Sequence, residues 1–559
     1  MHQDIYDKIM MMAKRRGFIY PSFEIYGGSA GFYDYGPLGA RLKQNVEDLW
    51  RKYFLLYDKC MEINTPTITL FEVLKASGHV NEFTDLTVDC AACNTSFKVE
   101  DIIDDTLTVE EAVETGRIIC PTCKSALSDA HPVNLMFSTK IGVGKTRDAF
   151  LRPETAQGMF TSFHLLYRYA REKLPFGVIQ LGKGYRNEVS PRQGPLRMRE
   201  FSMAEAEVFF DPENKNHDQF DEVKNNTLFL YDNTNEMRIT LQEAVSKQII
   251  NNPALAYYMY LTQAFLFEAG VDKEKFRFRK HADDELAHYA KECWDVELFS
   301  ERFGWIECVG IADRSAYDLS AHIDATNTDM YALRRFEHPK TVMKKKIEPN
   351  MGVLGPLFKG KAGIIKEQLE QVSVSDDQEI SVEVEGEKII VPKDGYKIVD
   401  VEETISGDKF VPHVIEPSFG IDRILYCLLE HNYQESIKNE ESYHALTFNP
   451  HIAPIKAGVF PLLNDEALVS MAKQVDHVLR HNEILTYFDI SGTIGRRYAR
   501  MDEIGTPFCI TIDHQSLEDE TVTIRYRDTT QQDRIAISEI SSILKQKLSD
   551  AKITIGSVA

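Results

Sequence analysis

Two arginines, two glutamates and a phenylalanine occur with strand-like spacing in one stretch of the chain. Arg186 and Glu188 are two positions apart, and Arg199, Phe201 and Glu205 follow on the return of a predicted antiparallel hairpin. Residues two apart share one face of a strand. A face that combines guanidinium and carboxylate groups is unfavourable to bury unless it binds a ligand. Arginine binds phosphate oxygens and an aromatic ring stacks on a base, which predicts a nucleotide site; a cross-strand ladder of ion pairs is the alternative.

A second arginine-bearing element lies far downstream, in the segment EPSFGIDRILYCLLEH. Gly420 is predicted at the start of a helix, with Arg423 in the first turn and a buried apolar stripe after it. An arginine at that place can project over a triphosphate while the helix N-terminus faces the anion. The two arginine-bearing elements together therefore predict one polyphosphate site.

The cysteines form two C-x2-C pairs, Cys90 with Cys93 and Cys120 with Cys123, with an acidic segment between them. Two such knuckles can close a tetrahedral zinc site, and four thiolate ligands leave no open position for water. The predicted metal is therefore structural. Four reduced surface thiols are the alternative, because the spacer is longer than in the usual zinc ribbon.

Composition limits the class of protein. The chain has 559 residues, 64 Lys and Arg against 86 Asp and Glu, and a formal net charge of −22. This length predicts three or four domains, and the acidic balance disfavours nonspecific coating of nucleic acid. Nine cysteines are too few for a disulfide scaffold. We expect no membrane span and no secretory signal, hence a cytoplasmic protein.

The last hundred residues read as a separate α/β unit. Strand-like runs such as KAGVFPL and TVTIRYR alternate with helical patterns, which predicts a parallel or mixed sheet covered by helices. Positive charge concentrates there, and nucleic-acid contact and a solvated charged face remain equally open. The arginines concerned are Arg496, Arg497, Arg500, Arg525 and Arg527.

These elements resemble, in chain order, the three signature motifs of class II aminoacyl-tRNA synthetases. The stretches LRPETAQGMF, YRNEVSPRQGPLRMREFSMAE, GWIECVGIADRSAYDLSAH and EPSFGIDR are similar to those of dimeric glycyl-tRNA synthetases, and the likeness covers essentially the whole chain. The resemblance implies an α+β fold: an antiparallel sheet flanked by helices, a zinc-ribbon-like insertion and a C-terminal α/β anticodon-binding domain. It also implies a homodimer, because residues 38–70 resemble the dimerisation region of that family.

The resemblance also implies a domain organisation. The parts are the catalytic domain with motif 1 (1–87), the cysteine-bearing insertion (88–148), the catalytic domain with motif 2 (149–210), a helical insertion (211–300), the catalytic domain again (301–339), a further insertion (340–410), the catalytic domain with motif 3 (411–450) and the anticodon-binding domain (451–559).

The implied reaction joins glycine to ATP as glycyl-adenylate and then transfers glycine to the 3′ end of tRNA(Gly). Arg186, Glu188 and Arg423 are the implied catalytic residues, and Glu307 is the implied ligand of Mg²⁺. The implied ATP-binding residues are Arg186, Asn187, Glu188, Leu196, Arg197, Met198, Arg199, Glu200, Phe201, Glu307, Cys308, Gly420, Ile421, Asp422 and Arg423. The cysteine quartet would hold Zn²⁺, and Arg496, Arg497, Arg500 and Arg525 would contact tRNA.

Glycine has no side chain to recognise, so its ammonium and carboxylate are the handles. Acidic and hydroxyl groups in a pocket too small for a methyl group suit it, and steric exclusion makes an editing site unnecessary. The implied glycine-binding residues are Glu154, Phe201, Ser202, Met203, Ala204, Glu205, Glu416, Pro417, Ser418, Phe419 and Gly420. Lys98 is added because many relatives have arginine there, and lysine offers a point charge in place of a planar fork.

Two other functions compete with an active glycine enzyme. A catalytically silent paralogue, serving as an RNA-binding or regulatory protein, is expected to have lost the phosphate-binding arginines, and this chain keeps Arg186, Arg199 and Arg423. A synthetase for another small amino acid is opposed by Glu154, Glu205 and the pair Glu416 and Ser418.

Overall fold

The structure is a computed structural model that describes residues 4–103, 119–191, 193–282, 285–286, 290–371, 380–384, 387–438 and 441–550. The predicted acidic segment between the cysteine pairs falls largely at 104–118, outside the described residues. The described chain forms two compact units, residues 1–330 with 412–559 and residues 331–411. Within the described residues, no helix has both the length and the apolar composition needed to cross a bilayer.

The strands are numbered in chain order. They are β1 (Ile19–Pro21), β2 (Tyr33–Tyr35), β3 (Met61–Glu62), β4 (Ile68–Leu70), β5 (Thr84–Cys90), β6 (Thr95–Lys98), β7 (His131–Asn134), β8 (Ser138–Ile141), β9 (Arg147–Leu151), β10 (Phe176–Tyr185), β11 (Glu200–Phe210), β12 (Thr227–Tyr231), β13 (Glu236–Thr240), β14 (Phe276–Lys280), β15 (Glu292–Ser300), β16 (Gly304–Ser315), β17 (Ala332–Pro349), β18 (Ser381–Val384), β19 (Glu387–Ile390), β20 (Tyr396–Phe410), β21 (His413–Gly420), β22 (Tyr433–Lys438), β23 (Glu441–Leu446), β24 (Ala457–Pro461), β25 (Thr486–Phe488), β26 (Phe508–Ile512), β27 (Thr521–Tyr526) and β28 (Gln532–Ala536).

The helices are numbered in the same way. They are α1 (Ile5–Arg16), α2 (Pro37–Arg51), α3 (Phe71–Ala76), α4 (His79–Glu82), α5 (Ala156–Thr161), α6 (Phe163–Tyr169), α7 (Phe220–Val223), α8 (Leu241–Ser246), α9 (Pro253–Ala269), α10 (Tyr317–Thr326), α11 (Met351–Phe358), α12 (Ala362–Gln371), α13 (Ile421–His431), α14 (Glu466–His481), α15 (Ile494–Glu503), α16 (His514–Asp519) and α17 (Ile540–Asp550).

A nine-stranded sheet organises the larger unit, in the order β13-β12-β14-β15-β16-β21-β11-β10-β3. Its middle strands, β14 to β10 in that order, pair antiparallel. This confirms the predicted α+β class with an antiparallel sheet. Because successive side chains on a strand point to opposite faces, each strand contributes to both sides of the sheet.

One face of this sheet packs against the hydrophobic core. Helices α2 and α9 pack there, and every residue of α9 from Ala254 to Ala269 is buried. The ring of Phe419 on β21 contacts the rings of Trp50, Phe54 and Phe265, with centroids 5.5–5.7 Å apart. A helix that is apolar all round has to lie in the core, so α9 anchors the sheet.

The segment 211–300 corrects one expectation. It was predicted to be a helical insertion, yet it supplies strands β12 to β15 of the central sheet as well as α7, α8 and α9. The strongly apolar α9 dominates the sequence pattern, whereas β12, β13 and β14 have only five residues each. Such short strands carry a weaker periodic signal than a helix of 17 residues.

Smaller sheets surround the central one. Strands β6, β5 and β7 form the sheet that carries the first cysteine pair, and β4, β9 and β8 form another. The unit 331–411 has a long antiparallel ribbon of β17 and β20, a hairpin of β18 and β19, and its own small core. Its compact boundary lies at Tyr331, ahead of the expected 340.

The C-terminal residues form a five-stranded mixed sheet in the order β25-β24-β26-β27-β28. Strands β25, β24 and β26 are parallel, while β26, β27 and β28 are antiparallel. Helix α14 buries Leu468, Ala472, Val475 and Leu479 against it. The predicted α/β unit is confirmed.

The close approach of α2 to the turn after α1 gives a test of the fold. A Cβ on Gly39 would lie 1.7 Å from the carbonyl oxygen of Phe18. We expect Gly39→Ala to lower the free energy of unfolding by about 1–3 kcal/mol, because backbone has to move. Gly495→Ala is the control, since a Cβ there meets nothing within 4 Å. Thermal unfolding of both variants measures the difference, and equal melting temperatures would contradict this packing.

Candidate active site

A cleft opens on the face of the central sheet opposite the core. Strands β11, β15, β16 and β21 form its floor, and the loop between β10 and β11 and the first turn of α13 form its walls. The sequence-predicted residues that line it are Glu154, Arg186, Glu188, Leu196, Arg197, Met198, Phe201, Ser202, Met203, Glu205, Glu307, Cys308, Glu416, Ser418, Gly420, Asp422 and Arg423.

Arg186 reaches the cleft from a loop. Strand β10 ends at Tyr185, so Arg186 and Glu188 follow the strand and do not share a strand face, which corrects the expected geometry. The Arg186 guanidinium carbon lies 5.2 Å from the ring centroid of Phe83 and 5.3 Å from that of Phe201. Such stacking orients a guanidinium while leaving its N–H edge open to an anion.

Arg423 approaches the same cleft from α13. Its Nη1 donates to the backbone oxygen of Glu307 at 2.7 Å, and its Nε donates to that of Leu196 at 3.1 Å. The Glu307 carboxylate lies 3.6 Å from Nη1. Two guanidinium groups from distant segments thus line one cleft, with a carboxylate able to accept a cation beside one of them.

Part of the cleft, here called its acidic end, is lined by Glu154, Glu205 and Glu416. Glu205 on β11 faces Ser418 on β21, whose hydroxyl donates to the Glu205 carboxylate at 2.8 Å. The Thr155 backbone N–H and hydroxyl also donate to Glu205, the N–H at 2.7 Å. Glu416 accepts from Arg314 at 2.9 Å. Glu154 accepts from the Gln157 amide at 3.1 Å.

The three glutamates at this end differ in their tendency to ionise. Burial raises the pKa of Glu205, and the neighbouring Glu154 raises it further. Burial also raises the pKa of Glu416, to about 7, although Arg314 opposes this. Burial opposes ionisation of Glu154 as well, but the contact between His79 and the Glu154 carboxylate holds the pKa of Glu154 below its ordinary range. Glu154 is therefore the carboxylate best able to remain charged in this environment.

The cleft contains residues that the site prediction missed. Arg314 is 2% exposed, and it makes two hydrogen bonds to Asp318, at 2.7 and 2.8 Å, besides the one to Glu416. Arg314 lies in the ADRSAYDL stretch, which contributed to the family resemblance but was not predicted to contain a site residue. The other missed lining residues are Pro195, His281, Ala290, Cys293, Asp295, Gly310 and Ala312.

Some predicted residues do not line the cleft. Ala204 and Phe419 are buried in the core behind the sheet, because their strand neighbours occupy the cleft face. Arg199 donates to the backbone oxygens of Glu188 and Ala30, which fixes the loop. The remaining non-lining residues are Asn187, Glu200, Pro417, Ile421 and Lys98.

Lys98 and Asp422 have structural partners. The Lys98 ammonium forms ion pairs with Asp85 at 3.1 Å and Glu100 at 2.8 Å. Asp422 reaches the cleft wall, yet its buried carboxylate accepts from the Ser202 backbone N–H at 2.5 Å and from the Tyr35 hydroxyl. These pairs explain their conformations without a ligand.

Comparison with known proteins agrees with this geometry. Residues 140–347 match the family described as "tRNA synthetase class II core domain (G, H, P, S and T)", and residues 451–547 match "Anticodon binding domain". Glycine–tRNA ligases from Methanothrix thermoacetophila and Archaeoglobus fulgidus are 46% and 47% identical, each over 98% of this chain and 98% and 97% of their own lengths. The chain belongs to the glycine–tRNA ligase family.

Membership makes the chain an aminoacyl-tRNA synthetase of class II. Glycine–tRNA ligase from Methanocaldococcus jannaschii is a further relative, 45% identical over 98% of this chain and the whole of that protein. A structural neighbour is prolyl-tRNA synthetase from Cryptosporidium parvum, with a TM-score of 0.51, 12% identity, and coverage of 98% of this chain and 76% of that one. At this identity the likeness shows the fold alone.

The four predicted cysteines of the ligase lie together. The sulfur atoms of Cys90 and Cys123 are 3.4 Å apart, those of Cys93 and Cys120 are 3.6 Å apart, and all four lie within 4.8 Å of one another. Zinc–sulfur bonds of about 2.3 Å in a tetrahedron place sulfurs about 3.8 Å apart. The quartet therefore fits a tetrahedral metal.

The arginines of the anticodon-binding domain separate into two groups. Arg525 forms a buried two-pronged pair with Asp502, at 2.9 and 2.8 Å, while Arg497 and Arg527 donate to buried backbone oxygens. These guanidinium groups are occupied by partners within the protein, which corrects the expectation that Arg497 and Arg525 contact tRNA. Arg496 is exposed on α15. Arg500, on the same helix, is partly exposed and pairs with Asp489 at 2.8 Å.

The two groups predict different mutant behaviour. Arg525→Ala should destabilise the domain by about 3–5 kcal/mol, because it leaves Asp502 buried and uncompensated. Arg496→Ala should leave the melting temperature unchanged and raise the Michaelis constant for tRNA, because one phosphate contact is lost. Thermal unfolding and aminoacylation at increasing tRNA concentration separate the two effects. A stable Arg525→Ala variant with weak tRNA binding would restore the original prediction.

Proposed function

We propose that the cleft forms glycyl-adenylate from glycine and ATP and then transfers glycine to the 3′ end of tRNA(Gly). The observation that supports this most strongly is the convergence of Arg186 and Arg423 on one cleft whose lining also holds Glu154, Glu205 and Glu416. Guanidinium groups suit a triphosphate, and a cluster of carboxylates suits an ammonium group. Family membership supplies the identity of both substrates.

Arg186 binds the α-phosphate and Arg423 the γ-phosphate. Phe201 stacks on the adenine ring, and the partly buried Glu188 accepts from the adenine amino group. Glu307 contributes to binding Mg²⁺, whose charge would offset that of the triphosphate oxygens. The oxygen-donor carboxylate of Glu307, beside the phosphate-binding Arg423, suits this hard cation.

At the acidic end, Glu154 and Glu205 bind the ammonium of glycine, with Ser418 and Glu416 completing the pocket. A glycine carboxylate oxygen attacks the α-phosphorus, a P–O bond forms, and diphosphate leaves with the electron pair of the broken bond. No protein nucleophile takes part, so the residues act by positioning the reactants and stabilising charge.

The remaining assignments extend this proposal. The cysteine quartet holds a structural Zn²⁺, and Arg496 and Arg500 face the tRNA. Two copies of the chain associate through the region 38–70, and the enzyme works in the cytoplasm, where translation supplies its tRNA. The family resemblance supports the dimer and the location, and the sulfur geometry supports the metal.

Glycine-dependent exchange of diphosphate into ATP tests the first half-reaction. Arg423→Ala should lower the exchange rate about 100-fold or more, because a cation that stabilises the transition state is lost. Arg238→Ala is the matched control, since Arg238 is exposed and paired with Glu274 away from the cleft. Alanine, serine and proline in place of glycine should give negligible exchange. Exchange with alanine would favour another small amino acid, and no exchange at all would favour a silent paralogue.

The zinc assignment predicts about one zinc ion per purified chain, because four thiolates close one tetrahedral site. Cys90→Ser should reduce the zinc content, measured by atomic emission, and lower the melting temperature. Cys60→Ser is the control, because Cys60 lies in another part of the fold and hydrogen-bonds to Asp58. A stable wild-type protein without metal would contradict the assignment.

A further inference from the structure

His79 lies behind the acidic end of the cleft and contacts one of its carboxylates. Its Nε2 is 3.3 Å from Oε2 of Glu154, and its Nδ1 is 2.8 Å from the hydroxyl of Ser77. The side chains of His79 and Glu154 are 11% and 14% exposed. In the tautomer that carries its proton on Nε2, the ring donates to the Glu154 carboxylate and Nδ1 accepts from the Ser77 hydroxyl.

The backbone around His79 is fixed. Gly78, at φ +87°, turns the chain between α3 and α4, a conformation that favours glycine. The side-chain amide of Asn134 on β7 donates to the backbone oxygens of His79 and Val80, at 3.3 and 3.1 Å. The backbone that carries the imidazole is therefore hydrogen-bonded to β7, a strand of the cysteine-bearing sheet.

The Glu154 carboxylate is held from two sides. Oε1 accepts from the Gln157 amide at 3.1 Å, and Oε2 faces His79. The same Gln157 amide contacts Asp318, which pairs with Arg314. Hydrogen bonds and the His79–Glu154 contact thus connect Arg314 to Ser77, and both Arg314 and Glu154 line the cleft.

The position of His79 has an electrostatic consequence. Glu205 and Glu416, the other carboxylates at this end, have raised pKa values because they are buried. Glu154 is also largely buried, with its side chain 14% exposed, but the contact with His79 lowers its pKa. The ionisable groups around Glu154 from the surrounding elements are His79, Arg314, Glu205 and Glu416.

We propose that His79 is a positioning residue for glycine recognition: it holds Glu154 ionised and oriented to accept the ammonium group, and Ser77 fixes the imidazole. This inference rests on the proposed role of Glu154 in the glycine pocket. His79 acts through Glu154 and does not contact the substrate.

The test compares Michaelis constants for glycine and ATP in the diphosphate exchange assay. His79→Ala should raise the constant for glycine about tenfold or more, as expected for loss of a hydrogen bond to a charged group, and change that for ATP less than about twofold. His79→Gln should recover most of the loss, because its amide N–H can occupy the place of Nε2–H. His131→Ala is the control, since this half-exposed histidine lies on β7 and pairs weakly with Asp89.

Glu154→Gln separates failure of this inference from failure of the proposed pocket. If Glu154→Gln binds glycine normally, the pocket assignment is wrong and the role of His79 falls with it. If Glu154→Gln is impaired while His79→Ala is normal, only the positioning role is wrong. The double variant should be no worse than Glu154→Gln, because the two residues act in series. Equal increases for glycine and ATP in His79→Ala would indicate general distortion and overturn the proposal.

Discussion

The buried pairing of Arg314 with Glu416 and Asp318 is the interaction on which the acidic end of the cleft depends. Several carboxylates are brought together on one face of a sheet, out of water, where like charges repel and desolvation is costly. Arg314, itself 2% exposed, pairs with Asp318 and Glu416. The Gln157 amide bonds to Asp318 and also to Glu154, which connects Glu154 to this pairing. Without such a cation, these glutamates would take up protons and lose their ability to bind an ammonium group.

The central sheet brings the functional residues of distant segments together in one cleft. On β11 the residues Phe201, Met203 and Glu205 face the cleft, while Ala204 and Ala206 lie in the core. The register that sets Glu205 beside Ser418 also places Met203 beside Gly420, where α13 begins and Arg423 follows. Core packing and ligand geometry are thus coupled, because shifting a strand by one residue would exchange its two faces.

Burial also decides which arginines of the C-terminal domain are available. Arg525 and Arg527 alternate with apolar residues on or just after β27, a pattern equally typical of a binding face and of an internal pair. The partners decide it: Asp502 on α15 meets Arg525, and the backbone oxygens of Gly505 and Phe448 meet Arg527. These guanidinium groups stabilise the fold through internal hydrogen bonds, whereas Arg496 is exposed.

The sequence by itself determined the α+β class, the β10–β11 hairpin, the start of α13 at Gly420 and the family, because strand alternation, helix periodicity and motif residues are local properties of the chain. It also predicted Arg186, Arg423, Glu154, Glu205 and Glu416 as site residues, and all five line the cleft. Tertiary structure alone decided that Arg186 lies in a loop, that segment 211–300 contributes strands, that Arg314 orders the acidic end, and that His79 contacts Glu154. Those facts depend on which distant partner each group meets, and partners far apart in sequence leave no periodic signal.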